Sequence, residues 1–311
     1  MSSAATVLGV SAASIEFQNP ILLAAGTAAY GRELTGVMNL DAVGGLVTKA
    51  VSPELRKGAP APRVAEFEGG MINAVGLANP GLDAVIAEDL PWLTANLRKA
   101  RVIVNVVGSV LEDFGAVVSS LTGVARVDAF ELNVSCPNVK AGGMEFGADR
   151  DTLSALVQRA RAATTKPVFV KLSPTLPSIA DTARAAIDAG ADGLTLVNTI
   201  PGMVIDVESR KPALGFGTGG VSGPGLLPVG VLAVWKVSRA VKVPLIGVGG
   251  VTRGTDAIQY LMAGASLVGI GTAALRDPRA PERVLAEMRG WCESHGVRSL
   301  SEIVGSLDWP S

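Results

Sequence analysis

The chain has little of the residue types that build metal centres and disulfides. Its 311 residues include two cysteines, Cys136 and Cys292, and a single histidine, His295. Two cysteines are too few for a disulfide framework, and with one histidine they cannot complete a zinc or iron–sulfur centre. The sequence therefore predicts no metal site in this chain, and any such centre is expected on a partner.

The chain also lacks a charge excess and a long apolar run. The formal net charge is -1 with an isoelectric point near 6.0, and no Lys or Arg cluster forms a basic stripe, which argues against a nucleic-acid partner. The first basic residue is Arg32, so a secretory signal with a charged start is not expected. No apolar stretch approaches the roughly 18 residues of a membrane span. We expect a cytoplasmic protein without a membrane partner.

What the chain does have is a large apolar fraction arranged in regular runs. Hydrophobic residues make up 48% of the sequence and charged residues 18%, enough for one sizeable core in a single domain over residues 1–311. Eight runs lie at Ile21 to Ala25, Gly45 to Lys49, Arg101 to Val107, Ala129 to Val134, Pro167 to Leu172, Gly193 to Val197, Val243 to Val248 and Ser266 to Ile270. Continuous apolarity of this kind is typical of parallel strands that are covered on both faces.

Helical patterns lie between these runs. One helix is expected to begin after Pro177, with Ser178 and Asp181 as a capping pair, and to end at Gly190. Residues 188–196 are echoed by residues 262–270, which favours a repeating βα unit. Eight such units over about 250 residues predict a (β/α)₈ TIM barrel. The alternative is an open doubly wound sheet, which is disfavoured because no GxGxxG motif follows the first strand.

Three further segments complete the predicted architecture. Ser14 to Phe17 is expected to form part of an N-terminal hairpin at the barrel floor. Two long inserts, Val51 to Asn79 and Pro201 to Gly223, follow strands 2 and 6. Because these loops leave the carboxyl ends of their strands, both should lie above the active face as lids or interface elements.

Glycines at the ends of the last two strands suggest an anion site. Gly249 and Gly250 follow strand 7, and Gly271 and Thr272 follow strand 8. Backbone amides can approach a phosphate closely at glycine, and barrels often bind phosphate at this place. Taken singly these glycines are equally typical of plain turns, and the pattern leaves open whether a phosphate would belong to a substrate or to a cofactor.

Lysines and asparagines at other strand ends narrow the ligand chemistry. Lys49 and Lys171 end strands, where a buried ammonium must be paired. One reading is a Schiff-base lysine, as in aldolases. Asn73, Asn105, Asn133 and Asn198 favour instead an imide-bearing ring, because carboxamides both donate and accept, and the pyrimidine edge of a flavin is such a ring. A cation near that edge stabilises the reduced flavin, and Lys171 is the candidate.

Cys136 has two interpretations. A free cysteine is most often a small buried hydrophobe. With the only histidine at position 295, a Cys–His hydrolase is disfavoured, but a loop cysteine over a barrel mouth could still remove a proton next to a carbonyl. Cys292 is expected to be structural, and His295 to lie at the surface.

Ten segments together resemble the dihydroorotate dehydrogenase family, over about residues 6 to 305. They read NPILLAAGTAAYG, TKA, PRVAE, NAVGLANPG, ELNVSCPN, VKLSP, ADGLTLVNT, GTGGVSGP, IGVGGV and GIGTA. Cysteine at position 136 and the NAVGL and VKLSP forms are more similar to class 1B than to the serine-using class 2 or the fumarate-linked class 1A. The resemblance implies an FMN-containing barrel that oxidises dihydroorotate to orotate in pyrimidine synthesis.

The resemblance also implies roles for individual residues. Cys136 would be the base, and Lys49 would contact both flavin and substrate carboxylate. The implied FMN contacts are Ala25, Gly26, Lys49, Ala50, Asn105, Asn133, Lys171, Val197, Gly223, Gly249, Gly250, Gly271 and Thr272. The implied substrate contacts are Lys49, Asn73, Ala74, Val75, Gly76, Leu77, Asn133, Asn198 and Thr199. Many relatives have serine where Ala25 stands, so a backbone amide must make that contact here.

The resemblance implies partners as well. A homodimer of this chain is expected from the resemblance, and a heterotetramer with a subunit that, in class 1B enzymes, carries FAD and an iron–sulfur cluster and passes electrons to NAD. The alternatives are a class 1A-like enzyme, a flavin barrel similar to dihydropyrimidine dehydrogenase or dihydrouridine synthase, a Schiff-base lyase and a non-catalytic partner-binding barrel. The charge balance argues against the alternative similar to dihydrouridine synthase, because RNA binding needs a basic surface.

Overall fold

Eight parallel strands close into a barrel in the computed structural model, which describes residues 7–135, 137–138 and 144–310. The strands are β1 Ile21–Leu23, β2 Gly45–Val47, β3 Arg101–Val106, β4 Ala129–Asn133, β5 Val168–Leu172, β6 Gly193–Leu196, β7 Leu245–Val248 and β8 Leu267–Ile270. Each pairs with the next in chain order, and β8 pairs with β1 to close the ring. The predicted (β/α)₈ barrel is confirmed, and the open sheet was the wrong alternative.

Helices surround the barrel. They are α1 Leu90–Asn96, α2 Leu111–Thr122, α3 Arg150–Ala162, α4 Ile179–Asp188, α5 Leu227–Ala240, α6 Gly254–Ala263, α7 Thr272–Arg276 and α8 Ala280–Ser294. A helical turn at Leu82–Ala84 and a π-helical turn at Val85–Asp89 lead into α1. Short 3₁₀ turns lie at Arg32–Leu34, Leu40–Ala42, Phe146–Ala148, Pro224–Leu226 and Leu300–Glu302. No helix in the described part of the chain has both the length and the apolarity to cross a bilayer.

The ends of α4 show why the helix boundaries were readable. The Ser178 hydroxyl accepts a hydrogen bond from the Asp181 backbone N–H at 3.4 Å, as its capping role predicts. Past the last turn, Gly190 adopts a φ of 108°, which a residue with a Cβ rarely adopts. The predicted start and end of this helix are confirmed.

Alternation along the strands divides the apolar residues into two clusters. Outward side chains such as Phe130, Leu132 and Val170 pack against the helices. Inward side chains, among them Ala129 and Phe169, form a smaller cluster inside the barrel. The larger cluster holds the helices onto the barrel, and the smaller one fills its lower half.

A hairpin seals the floor of the barrel, as predicted. Val10–Ala12 pairs antiparallel with Ile15–Phe17, and Ala12, Ile15 and Phe17 are buried within the inner cluster. Arg101, at the amino end of β3, donates from Nε to the Glu16 carbonyl at 2.9 Å. The hairpin is therefore attached at the amino ends of the strands.

The two inserts meet in one antiparallel sheet, which we call the cover sheet. Its strands, in spatial order, are Ile200–Gly202, Gly219–Ser222, Gly70–Asn73 and Val64–Phe67. Smaller strand pairs lie at Ile205–Asp206 with Lys211–Pro212 and at Pro137–Asn138 with Met144–Glu145. Both inserts were expected at the active face, and they lie there side by side.

Candidate active site

A cavity of about 420 Å³ opens at the carboxyl ends of the barrel strands, beneath the cover sheet. Ala24 and Val248, which belong to the inner apolar cluster, also line this cavity. The cavity therefore begins where the apolar filling of the barrel ends. Its volume lies within the range usual for small-molecule and cofactor sites.

The predicted contact residues come together in this one cavity. Those predicted for the cofactor are Ala25, Gly26, Lys49, Ala50, Asn105, Asn133, Lys171, Val197, Gly223, Gly249, Gly250, Gly271 and Thr272, and all line it. The predicted substrate residues Asn73, Ala74, Val75, Gly76, Leu77, Asn198 and Thr199 line it as well. Cys136 lies outside the described residues. Proximity is thus shown for the described set, whereas the individual roles stay predictions.

The cavity wall is positively charged. Lys49, Lys171 and Arg276 line it, and the lining residues within the described ranges include no aspartate or glutamate. Lys171 is 8% exposed, and among the described residues its ammonium has no hydrogen-bond acceptor or carboxylate partner. An ammonium at the cavity wall without a protein partner is suited to a ligand that supplies acceptor atoms or negative charge.

A buried carboxylate was missed by the sequence reasoning. Glu131, on β4, is 1% exposed and accepts hydrogen bonds from Asn105 Nδ2 and from Thr195 Oγ1, each at 2.7 Å. Asn105 lies on β3 and Thr195 on β6, so Glu131 joins three strands through the barrel interior. The available signal was a charged residue in the middle of an apolar run, FELN, which conflicts with a purely structural strand.

Three asparagines surround the upper part of the cavity. Asn198 Nδ2 donates to Asn133 Oδ1 at 3.5 Å, and Asn198 Oδ1 accepts from the Thr199 backbone N–H at 2.9 Å. Asn73, on the cover sheet, donates to the Gly220 carbonyl at 3.3 Å. These contacts orient the carboxamides, and the polar atoms that remain free can bind a polar ring.

Glycines leave open space on the opposite side of the cavity. A Cβ placed on Gly26 would meet no atom within 4 Å, and one on Gly271 would meet only Ala24 Cβ and Thr27 Oγ1, both at 3.8 Å. Gly250 has a φ of 75°, and a Cβ there would overlap the Leu227 backbone nitrogen. Gly26 and Gly271 therefore border a cradle that a compact anionic group could fill, as a phosphate-bearing cofactor requires, whereas Gly250 packs closely against Leu227.

Two hydroxyl groups fix the shape of this cradle. Thr272 Oγ1 donates to Ser222 Oγ at 2.7 Å, which connects α7 to the cover sheet. Tyr260 donates from its hydroxyl to the Gly249 carbonyl at 2.8 Å. Burial, and then the nearby Asp256 carboxylate, raise the pKa of the Tyr260 phenol, so it remains a hydrogen-bond donor at neutral pH. Ser222 and Tyr260 were not predicted from the sequence.

The remaining reactive side chains lie away from the cavity. Cys292 is buried in α8, and burial, reinforced by Glu293, raises the pKa of its thiol. His295 is exposed and stacks on Trp291, with ring centroids 4.1 Å apart. Among the described residues, no cluster of three or more His, Cys, Asp or Glu is placed to bind a metal ion.

Known proteins are similar to this chain over nearly its whole length. A sequence model of the family described as dihydroorotate dehydrogenase matches residues 7–291. A protein of Pelobacter propionicus is 46% identical over 299 residues, which cover 96% of this chain and 98% of the relative. Proteins of Geobacter sp. strain M21 and Geobacter sulfurreducens are 44% and 43% identical over 301 residues, which cover 97% of this chain and 98% of each relative. All three relatives are named dihydroorotate dehydrogenase B (NAD(+)), catalytic subunit. A barrel with polar strand ends around one cavity agrees with these matches, and the chain belongs to the dihydroorotate dehydrogenase family.

Proposed function

We propose that this chain is the catalytic subunit of an NAD-linked dihydroorotate dehydrogenase, which oxidises dihydroorotate to orotate in pyrimidine synthesis. The observation that carries the proposal is the single cavity, because it collects the predicted flavin and substrate residues beside two lysines. The full-length relatives support the choice of substrate and of NAD, since both are named dihydroorotate dehydrogenase B (NAD(+)), catalytic subunit.

The donor set fits FMN. Gly271 borders open space for a phosphate, and Gly249 and Gly250 line the same cavity with their backbones. Thr272 lines it too, with its hydroxyl donating to Ser222 Oγ. Lys171 offers a cation near carboxamides for a pyrimidine edge. When bound, FMN supplies a two-electron acceptor for the hydride that leaves the substrate. The Ala25 side chain has no hydroxyl, so its backbone N–H is the proposed contact at that position.

The protein's own residues bind and deprotonate the substrate in this proposal. Lys49 pairs with the substrate carboxylate, and Asn73, Asn133 and Asn198 hydrogen-bond the ring amides and carbonyls. The substrate loses a proton and a hydride from adjacent ring carbons and gains a carbon–carbon double bond. Cys136 takes the proton from the carbon beside the carbonyl. Cys136 follows Asn133, a cavity-lining residue, by three positions.

A partner subunit completes the proposed electron path. We propose a homodimer of this chain and a heterotetramer with a subunit that carries FAD and an iron–sulfur cluster. Two cysteines and one histidine leave this chain without the ligands for such a cluster. We place the assembly in the cytoplasm, where pyrimidine precursors and NAD are available.

The visible absorption spectrum of the purified chain tests the cofactor and the substrate together. We expect a flavin spectrum that bleaches when dihydroorotate is added without oxygen, with formation of one orotate per flavin. Added NAD should restore the colour quickly only when the partner subunit is present. A colourless chain, or a coloured chain that dihydroorotate does not bleach, would overturn the proposal.

Replacement of Cys136 tests the base. Cys136→Ala should bind FMN and orotate normally but bleach at least about a hundredfold more slowly, because general bases contribute about 10²–10⁴-fold. Cys136→Ser should retain part of the bleaching rate, and more of it at high pH, since a hydroxyl loses its proton less readily than a thiol. Normal bleaching by Cys136→Ala would remove Cys136 from the mechanism while leaving the proposed reaction intact.

A further inference from the structure

A buried carboxylate in the barrel wall has no part in the function proposed above. Glu131 uses both oxygens as acceptors, Oε1 for Asn105 Nδ2 and Oε2 for Thr195 Oγ1, each at 2.7 Å. These two bonds compensate part of the cost of burying a carboxylate that is 1% exposed. Burial of this carboxylate costs free energy, and its partner Asn105 lines the cavity, so a reason for it beyond packing is expected.

The geometry around Asn105 supplies that reason. A carboxamide has one end that donates and one that accepts, and the carboxylate form of Glu131 can only accept. The Asn105 NH₂ group is therefore turned toward Glu131, and its Oδ1 lies on the other branch of the side chain. Asn105 lines the cavity, and within the described residues no group donates to its Oδ1.

The main chain at Asn105 is fixed as well. Its backbone N–H donates to Thr48 Oγ1 at 3.1 Å, and the Thr48 hydroxyl donates to the Lys49 carbonyl at 2.8 Å. Backbone and side chain are thus held from two directions. The wall at β3 presents a preset acceptor to whatever binds in the cavity.

We propose that Glu131 is a positioning residue that turns the Asn105 carbonyl oxygen into the cavity and so selects a ligand ring with an N–H at this wall. The inference rests on the proposed function, because the oxidised isoalloxazine ring has a single N–H, at N3 of its pyrimidine ring. Glu131 itself touches no ligand in this scheme and acts through Asn105.

The selectivity can be measured with a methylated cofactor. The parent chain, stripped of flavin, is titrated with FMN and with 3-methyl-FMN, and quenching of flavin fluorescence gives the two Kd values. Loss of one hydrogen bond in a closed site costs about a factor of ten in Kd. We therefore expect 3-methyl-FMN to bind the parent chain about tenfold more weakly than FMN.

Two single variants separate orientation of Asn105 from general packing. Glu131→Met keeps the length but releases Asn105, which can then donate to a flavin carbonyl beside N3. FMN should bind about tenfold more weakly, and the preference over 3-methyl-FMN should fall to about twofold. Thr195→Val is the matched control: it removes the other hydrogen bond of Glu131 and should leave the tenfold preference in place.

A paired replacement tests rescue. Asn105→Asp alone would set two carboxylates against each other and should bind FMN poorly. In the double variant Asn105→Asp with Glu131→Gln, the glutamine NH₂ can donate to the aspartate, whose second oxygen again faces the cavity as an acceptor. The preference for FMN over 3-methyl-FMN should then return to at least about fivefold.

The binding measurements distinguish failure of the inference about Glu131 from failure of the proposed function. The inference is overturned by a folded Glu131→Met chain that keeps the tenfold preference, by a Thr195→Val chain that loses it equally, or by a double variant that recovers nothing. If Glu131→Met does not fold, as judged from its melting curve, the other two variants decide. A parent chain that binds no FMN defeats the proposed function, whereas one that binds FMN and 3-methyl-FMN equally defeats the inference alone.

Discussion

The two ends of strand β5 carry lysines in opposite situations. Lys166 precedes the strand at the barrel floor, and its ammonium donates to the carbonyls of Val124 and Val127 at 2.6 and 2.5 Å. Lys171 lies at the mouth, buried, with no protein partner among the described residues. The two lysines are five positions apart in the sequence, yet the fold supplies hydrogen-bond acceptors to Lys166 and leaves Lys171 available to a ligand. Polar groups at the floor contribute to stability, and those at the mouth are available for function.

The largest loss of stability is expected from a substitution at the barrel floor, which tests whether the floor serves stability and the mouth serves function. Phe17→Ala removes a buried aromatic ring from the inner cluster and should lower the free energy of unfolding by about 3–5 kcal/mol. Urea denaturation measures the loss, and Phe17→Leu should cost clearly less. Dihydroorotate oxidation per folded molecule should stay near the parent value, and a matching loss of that activity would show that the floor and mouth are not independent.

At the mouth, Lys171→Met should have the opposite signature. Removal of one preorganised cation or donor typically costs 10²–10³-fold in rate, so dihydroorotate oxidation should fall at least about a hundredfold. Stability of the flavin-free chain should not decrease, because among the described residues the Lys171 ammonium makes no hydrogen bond or ion pair that the substitution would remove. A melting temperature several degrees below that of the parent would indicate that Lys171 supports the fold.

Lys166→Met provides the matched lysine replacement at the other end of β5. It removes two hydrogen bonds to loop carbonyls and should cost about 2 kcal/mol of stability, measured by the shift in the urea midpoint. The rate of flavin bleaching should remain within about twofold of the parent, since nothing at the cavity changes. A large loss of rate without loss of stability would reverse the assignment of the two ends.

The smallest effect is expected at Asp41, in the turn between β1 and β2. Partial burial acts to raise the pKa of Asp41, but hydrogen bonds from the backbone N–H groups of Ala100, Lys99 and Arg98 outweigh it and hold the pKa below its usual range. Asp41→Asn should therefore cost about 1–2 kcal/mol at pH 7.

The stability difference between the parent chain and Asp41→Asn should depend on pH, because the pKa of Asp41 is lowered in the folded state. A carboxyl group with a lowered pKa in the folded state stabilises fully above its unfolded pKa of about 4 and loses that contribution as the pH falls through the lowered value. Urea midpoints of parent and Asp41→Asn measured at several pH values should converge in acid. A gap that stays constant into strongly acidic solution would contradict the charge-based account.

The barrel was predictable because its signal is local. Each strand is a continuous apolar run, and the observed strands lie within the predicted ones, usually ending one or two residues earlier. Lys49 is an example, since it follows β2 by two residues and still reaches the cavity. The grouping of the described site candidates around one cavity was predictable for the same reason, because residues that follow parallel strands meet at one face, whereas their individual roles stay predictions.

The cover sheet and the buried polar layer were not predictable in this way. Gly70–Asn73 pairs with Gly219–Ser222, about 150 residues away, through glycine-rich strands whose register the apolar pattern does not set. Glu131 was missed because a strand was judged by its apolar neighbours, and its partners Asn105 and Thr195 lie on other strands. Local patterns identify elements, whereas these features depend on which elements become neighbours.

Because strands of the two inserts pair with each other in the cover sheet, the two inserts are expected to evolve together. Met71 faces Ser222 and Asn73 faces Gly220 across it, so a change of length or register in one insert shifts the other. Chimeras with a relative should therefore tolerate exchange of both inserts together far better than exchange of either alone. Sequence changes that alter the cover sheet must therefore arise as coordinated changes in two distant stretches of the gene.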